Sequence, residues 1–179
     1  MQRRVLLSIM TYFIGIPAPI RDFDNLIVNP YAPIPIENRH LTLVYIGKNS
    51  LTPHDILSVK RTLTHLKKFS LTFKGLFGYP SLSRPRYLAT RPVNSYFLKA
   101  LRNKIMSSIK ETTINDRYET FSPHVTIAYT RSKCDLNLIR VAEQICKRAK
   151  NISCILTVNK IVLYTAEGGK FRVAEVLSG

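Results

Sequence analysis

The chain has 179 residues, which is the size of one domain or of two small lobes that share a core. With 45% hydrophobic and 21% charged residues, the composition excludes intrinsically disordered and fibrous proteins. Lys and Arg outnumber Asp and Glu by 27 to 11, so the net charge is +16. A charge of this size favours a polyanionic partner, which could be a nucleic acid, an anionic membrane surface or an acidic protein.

The first half of the chain is predicted to begin with a buried strand at residues 3–16, an interpretation favoured over a targeting peptide because polar residues interrupt the apolar run. A proline-rich connection follows and leads to a second strand at 39–46. Thr52, Pro53 and Asp55 have the chemistry of a helix start, and this helix is predicted to end near Lys67 and Lys68. Its predicted core-facing residues are Ile56, Leu57, Leu63 and Leu66. Two more strands are predicted at 69–77 and 86–90.

The second half repeats the alternation of helices and strands. A helix is predicted to start at Asn94 and Ser95, and apolar residues recur through it at helical spacing. A strand at 122–129 and a helix from Asp135 to about Lys150 follow. Two final strands, at 152–164 and 171–176, flank a Gly-Gly hairpin signal at 168–169.

The three cysteines, Cys134, Cys146 and Cys154, have neither the number nor the spacing of a disulfide scaffold or a zinc site. We therefore expect free thiols, buried in the core, in a protein of the reducing cytoplasm.

Two matching tetrapeptides are the most informative feature of the sequence. His40-Leu41-Thr42-Leu43 and His124-Val125-Thr126-Ile127 each read His, apolar, Thr, apolar, and they occupy similar places in the two halves. Alternate side chains of a strand point to opposite faces, so each His is predicted to share a face with its Thr while the apolar residues enter the core. The sequence therefore predicts one α+β domain, residues 1–179, made of two similar lobes with one motif in each.

The residue types in these motifs fit acid–base chemistry at a phosphate. One protonated and one neutral imidazole can act as general acid and general base near neutral pH. Threonine hydroxyls can donate hydrogen bonds to phosphoryl oxygens, and in-line displacement at phosphorus on this plan needs neither a metal nor a cofactor. Half-buried polar residues on amphipathic strands are the alternative interpretation of each motif taken alone.

With these motifs the chain resembles the 2H phosphoesterase superfamily, whose members carry two His-x-Thr/Ser-x motifs in a two-lobed fold. Within it, the sequence is most similar to the RNA 2',3'-cyclic phosphodiesterases, also known as LigT-like or 2'-5' RNA ligase family proteins. Besides the motifs, the similar segments are 12–17, 35–39, 73–80, 85–88, 121–123 and 158–164 with the glycines at 168–169. The resemblance implies antiparallel sheets around a central cleft, with helices on the outside.

The resemblance also implies a role for each motif residue. His40 would be the general acid for the ribose 3'-oxygen and His124 the general base that activates water, while Thr42 and Thr126 would hold phosphate oxygens. Family members commonly carry Arg five residues after the second His, where this sequence has Tyr129. Tyr129, Arg131 and Arg86 are therefore the further candidates for substrate binding. The family's first helix is expected to be curtailed or absent, because prolines break the segment between residues 16 and 35.

The expected function is metal-independent hydrolysis of the 2',3'-cyclic phosphate end of RNA to a 2'-phosphate, by a monomer that does not bind membranes. Two alternatives stay open. One is a basic RNA-binding module on the same fold that has lost turnover. The other is a sister activity of the superfamily, such as hydrolysis of 2'-5' oligoadenylate or of an ADP-ribose cyclic phosphate, or weak 2'-5' RNA ligation.

Overall fold

The computed structural model describes residues 10–110, 120–168 and 170–179. Its strands pair antiparallel throughout. In chain order they are β1 (Thr11–Pro17), β2 (Ala32–Pro33), β3 (His40–Gly47), β4 (Phe69–Lys74), β5 (Phe77–Ser81), β6 (Arg84–Thr90), β7 (Val125–Tyr129), β8 (Ser153–Val158), β9 (Ile161–Glu167) and β10 (Lys170–Ser178).

In the described ranges, three α-helices lie between the strands: α1 (Pro53–Leu63), α2 (Tyr96–Ser107) and α3 (Leu136–Ala149). The predicted start of α1 is confirmed, because Thr52 and Asp55 form a reciprocal capping box. Asp135 caps α3 by accepting a hydrogen bond from the Leu138 amide at 2.8 Å. Within the described parts of the chain, no helix is both long and apolar enough to cross a membrane.

The main sheet has the order β10-β9-β1-β3-β7-β6-β5, with the short strand β2 also paired to β7. Its two faces have different environments. Alternate β1 residues Ile14 and Ile16 belong to the large core that residues of all three helices complete, whereas Phe13 belongs to a second, smaller cluster with Val162 and Tyr164. The helices therefore cover one face and leave the other face for the motif side chains, which is the α+β architecture expected from the sequence.

Several boundaries differ from the prediction. The predicted strand 69–77 is two strands, because Gly75 at φ 69° turns the chain out of β4 before β5 begins. Likewise 152–164 divides into β8, which pairs with β4 in a separate sheet, and β9. Helix α1 ends at Leu63, four residues before Lys67, and Leu57 is 48% exposed, so its predicted core position is wrong. The part of the predicted first strand before residue 10 lies outside the described residues, as does Gly169 of the predicted hairpin.

The cysteines were expected in the core, and this is correct for one of them. Cys154 is buried, Cys146 is half-buried and Cys134 is exposed, and all three are free thiols. Cys134 lies directly before the helix cap at Asp135, in a surface loop that the cysteine spacing alone does not reveal.

The proline-rich connection contains one short 3₁₀ helix (Asp24–Leu26) in place of a full helix, as the sequence predicted. Arg39, which is only 2% exposed, fixes this connection to the start of β3. Its guanidinium forms an ion pair with Asp24 at 2.7 Å and donates hydrogen bonds to the carbonyls of Ile20 and Ile34. Because Arg39 directly precedes His40, these contacts also position the first motif.

Candidate active site

The predicted alternation of faces is present in both motifs. His40 and Thr42 are half-buried while Leu41 is fully buried, and His124 and Thr126 are half-buried while Val125 is fully buried. Each imidazole therefore lies on the same side of its strand as the Thr two residues later.

The two motifs meet at a single residue pair. β3 and β7 pair antiparallel only through Leu41 and Val125. In this register, Thr42 lies across from His124, and Thr126 lies across from His40. The four polar residues thus surround one pair of buried apolar residues, with an approximate twofold relation between the strands.

A β-bulge follows the Thr of each motif. Leu43 is the extra residue in β3, because Val44 pairs with Ile14 while Thr42 pairs with Gly15. Ile127 is the extra residue in β7, because Ala128 pairs with Leu88 while Thr126 pairs with Ala89. Since an inserted residue reverses the alternation of the strand, it brings the residue three places after each Thr onto the face of the motif.

These residues are Tyr45 in β3 and Tyr129 in β7. The repeat therefore extends to six residues, His-apolar-Thr-apolar-apolar-Tyr, and strict alternation would have put both tyrosines on the opposite face. Tyr129 lies opposite Tyr87, which itself lies opposite Tyr79, so three tyrosines form a row on the motif face.

Both imidazoles are held by the same local contact. Nδ1 of His40 lies 2.8 Å from the carbonyl oxygen of Asn38, and Nδ1 of His124 lies 2.8 Å from that of Ser122. A carbonyl oxygen only accepts hydrogen bonds, so Nδ1 carries the proton in each ring. Nε2 is therefore the nitrogen of each histidine that is available for proton transfer.

His40 packs in an aromatic cluster. Its ring centroid is 4.7 Å from those of Phe13 and Phe171 and 5.3 Å from that of Tyr164. Burial lowers the pKa of His40 below its ordinary value of 6.5, and the charge of His124 contributes to the lowering, while the bond to Asn38 opposes it. The lowered pKa therefore favours the neutral imidazole of His40 at neutral pH.

The lowered pKa of His40 predicts a pH dependence of stability. As the pH falls below 6.5, the unfolded chain takes up a proton at His40 before the folded chain does, so the free energy of unfolding decreases until the lower, folded pKa is passed. H40F keeps an aromatic ring and is expected to lose this component. Urea unfolding of wild type and H40F between pH 7.5 and 5 measures the difference, with H65Q as the exposed-histidine control. Identical pH slopes for wild type and H40F would contradict the prediction.

His124 lies beside an open cavity of about 330 Å³. Its ring stacks on Tyr79, with centroids 4.7 Å apart. Thr42, Thr126 and His124 line the cavity together with Tyr45, Tyr79, Tyr87 and Arg102. The structure thus brings three of the four predicted motif residues to one cavity, and it places His40 beside them through the pairing of β3 with β7.

The other predicted binding residues lie farther out. Tyr129 is on the motif face, and the guanidinium of Arg131 is 6.0 Å from its ring centre. Arg86 is exposed, and its position next to Tyr87 in β6 puts it on the opposite face of the sheet. Sequence reasoning missed four residues that line the cavity: Tyr45, Tyr79, Tyr87 and Arg102.

Among the described residues, the donor groups that line the cavity are the imidazole of His124, several hydroxyls and the guanidinium of Arg102, and His40 lies beside them. No group of three or more His, Cys, Asp or Glu side chains suited to a metal ion occurs among the residues that the structure describes. The arrangement can transfer protons through two imidazoles and bind an anion through hydroxyl and guanidinium donors.

The chain is similar to known proteins in sequence and in fold. A model of the family described as the 2'-5' RNA ligase superfamily matches residues 33–170. A search of the curated proteins found no match to the chain.

Similar solved structures cover almost the whole chain. The crystal structure of TT0787 of Thermus thermophilus has a TM-score of 0.65 and 18% identity, over 94% of this chain and 97% of that one. E. coli LigT complexed with 3'-AMP has a TM-score of 0.59 and 17% identity, over 91% and 92% of the two chains. Usb1 of Kluyveromyces marxianus has a TM-score of 0.57 and 12% identity, over 94% and 98%. At these identities the likeness shows a shared fold, which confirms the fold that the resemblance implied.

Proposed function

Since the chain belongs to the 2'-5' RNA ligase superfamily, we propose that it hydrolyses the 2',3'-cyclic phosphate at the end of RNA to a 2'-phosphate, without a metal. The observation that carries the proposal is the pair of imidazoles around Leu41 and Val125, each with Nδ1 bonded to a carbonyl and Nε2 available. A matched pair of histidines suits a reaction that needs both a base and an acid.

In the proposed reaction, Nε2 of His124 takes a proton from water, and the water oxygen attacks phosphorus. The bond from phosphorus to the ribose 3'-oxygen breaks as a proton from Nε2 of His40 reaches that oxygen. The products are a 2'-phosphate and a free 3'-hydroxyl. At the end of the step His124 is protonated and His40 is neutral. Thr42 and Thr126 donate hydrogen bonds to the nonbridging oxygens, where negative charge increases in the transition state.

The acid role of His40 requires that its pKa rise when substrate binds. Burial lowers the pKa of His40 and so favours its neutral form. A phosphodiester anion beside the ring favours the charged imidazolium, because opposite charges at short range stabilise each other strongly in a partly desolvated site. Substrate binding and protonation of His40 are therefore coupled in this mechanism.

The surroundings of the cavity support an RNA substrate. Tyr87 is 41% exposed and lines the cavity beside Tyr79. Bases of single-stranded RNA commonly stack on such exposed aromatic rings, and the net charge of +16 attracts the phosphate backbone. The bound 3'-AMP named for the structurally similar E. coli LigT is a nucleotide, which agrees with this substrate class.

Phosphorus NMR tests the proposed function directly. A short oligonucleotide with a 2',3'-cyclic phosphate end is incubated with the protein in the presence of a chelator, at several pH values. We expect the cyclic phosphate signal to be replaced by that of a 2'-phosphomonoester, with the rate highest near the imidazole range.

Three results would contradict the proposal in different ways. Binding of the oligonucleotide without turnover would indicate an RNA-binding module. A 3'-phosphate product would show that the opposite bond breaks, and preference for a 2'-5' oligoadenylate or an ADP-ribose cyclic phosphate in competition would indicate a sister activity.

A further inference from the structure

Arg102 occupies an unusual position in helix α2. Leu98 and Ile105, at four residues before it and three after it, are both completely buried. Residues at this spacing share one side of a helix, so Arg102 extends the stripe that faces the core. The other basic residues of this helix, Lys99 and Lys104, are exposed.

The side chain of Arg102 reaches the cavity that holds the second motif. It lines this cavity together with Thr42, His124 and Thr126. Its Nε atom is buried, and its guanidinium carbon lies 5.3 Å from the ring centre of Phe121. Phe121 precedes His124 by three residues, so the guanidinium of Arg102 packs against the same short segment that carries the imidazole of His124.

Arg102 is the one permanently charged side chain among the described residues that line this cavity. The threonine hydroxyls there are neutral donors, and Tyr45, Tyr79 and Tyr87 are neutral as well. A phosphoryl group that enters the cavity carries at least one negative charge, and removing that charge from water is costly without a compensating cation. A planar guanidinium with several N–H donors matches the geometry of phosphoryl oxygens.

We propose that Arg102 is a substrate-binding residue that holds the phosphoryl group beside His124 and Thr126. This inference rests on the proposed function for the identity of the ligand, which is a terminal nucleotide phosphate. The packing of the guanidinium against Phe121 restricts its freedom before the ligand arrives, so less conformational entropy is lost on binding.

Equilibrium binding tests Arg102 without requiring turnover. The probes are a nucleoside 2'-monophosphate and inorganic phosphate, titrated into the full chain and followed by phosphorus NMR and calorimetry. The variants are R102Q, R102K and the control K99Q, which removes one charge from an exposed position of the same helix. The thermal unfolding midpoint of each variant shows whether the fold is intact.

Loss of a charged hydrogen-bonding partner typically weakens binding by roughly 10- to 100-fold. We expect a loss of this size in R102Q, a smaller loss in R102K because a lysine keeps the charge without the planar donor pair, and little change in K99Q. If the protein hydrolyses the cyclic-phosphate end, R102Q should raise KM for this substrate more than K99Q does.

Equal binding by R102Q and K99Q, with both folded, would overturn the role of Arg102. A lowered unfolding midpoint in R102Q with unchanged phosphate affinity would show that Arg102 has a structural role and no binding role. If phosphate binding depends on Arg102 but no cyclic phosphate is hydrolysed, the binding role stands and the proposed hydrolysis fails, so the two outcomes are distinguishable.

Discussion

Alanine in place of His40 or His124 is expected to lower kcat for a cyclic-phosphate-ended oligonucleotide by about 10²- to 10⁴-fold, the usual range for one general acid or base. Each substitution removes one of the two histidines beside the Leu41–Val125 pair, and the described residues provide no other Nε2 there. Steady-state kinetics of both single variants, with thermal unfolding to confirm the fold, provide the measurement.

The double variant and a surface control sharpen this prediction. Groups that act in one step are not additive, so H40A/H124A should be far less impaired than the product of the two single effects. H65A changes an exposed histidine just after α1 and should keep wild-type kcat. Full activity of either H40A or H124A would rule out the proposed mechanism.

Substitution of Arg39 by methionine is expected to lower the free energy of unfolding by about 3 kcal/mol, because the ion pair and two carbonyl partners are lost together. Methionine has a similar length and keeps much of the buried packing, so the loss reports mainly on the polar contacts to Asp24, Ile20 and Ile34. Urea unfolding monitored by circular dichroism measures the change.

The matched control for this experiment is R61M, which makes the same chemical change on the exposed side of α1. It is expected to change stability by less than about 0.5 kcal/mol, as surface substitutions usually do. D24N tests the same contact from the other partner and should cost less than R39M, since Asp24 is partly exposed and can be hydrated. A stability of R39M equal to that of R61M would show that the buried ion pair makes no net contribution.

The sequence predicted the motif faces well, because period-2 alternation is a direct property of the strand backbone. Helix-start residue types likewise identified the capping residues Thr52 and Asp135, whose side chains accept hydrogen bonds from amides only three residues away. These features are local, and so the residues that determine them are adjacent in the chain.

Features that arise from the pairing of two strands were harder to predict from the sequence. The bulges at Leu43 and Ile127 appear only when partner residues are paired, although the recurrence of Tyr45 and Tyr129 three places after each Thr is a sequence signal that could have revealed them. The sequence also contains a signal for the position of Arg102, because this residue interrupts the apolar stripe that Leu98 and Ile105 define in α2. Its proximity to His124 depends on tertiary packing, which no local pattern encodes.

The two motifs share one backbone arrangement, but their histidines lie in different surroundings. Both imidazoles are oriented by a carbonyl two residues earlier, and both strands carry the same bulge. What distinguishes them is their neighbourhood, since aromatic rings surround His40 while His124 stacks on Tyr79 at an open cavity. Two strand motifs with the same backbone arrangement thus place their imidazoles in different environments, one packed among aromatic rings and one at an open cavity.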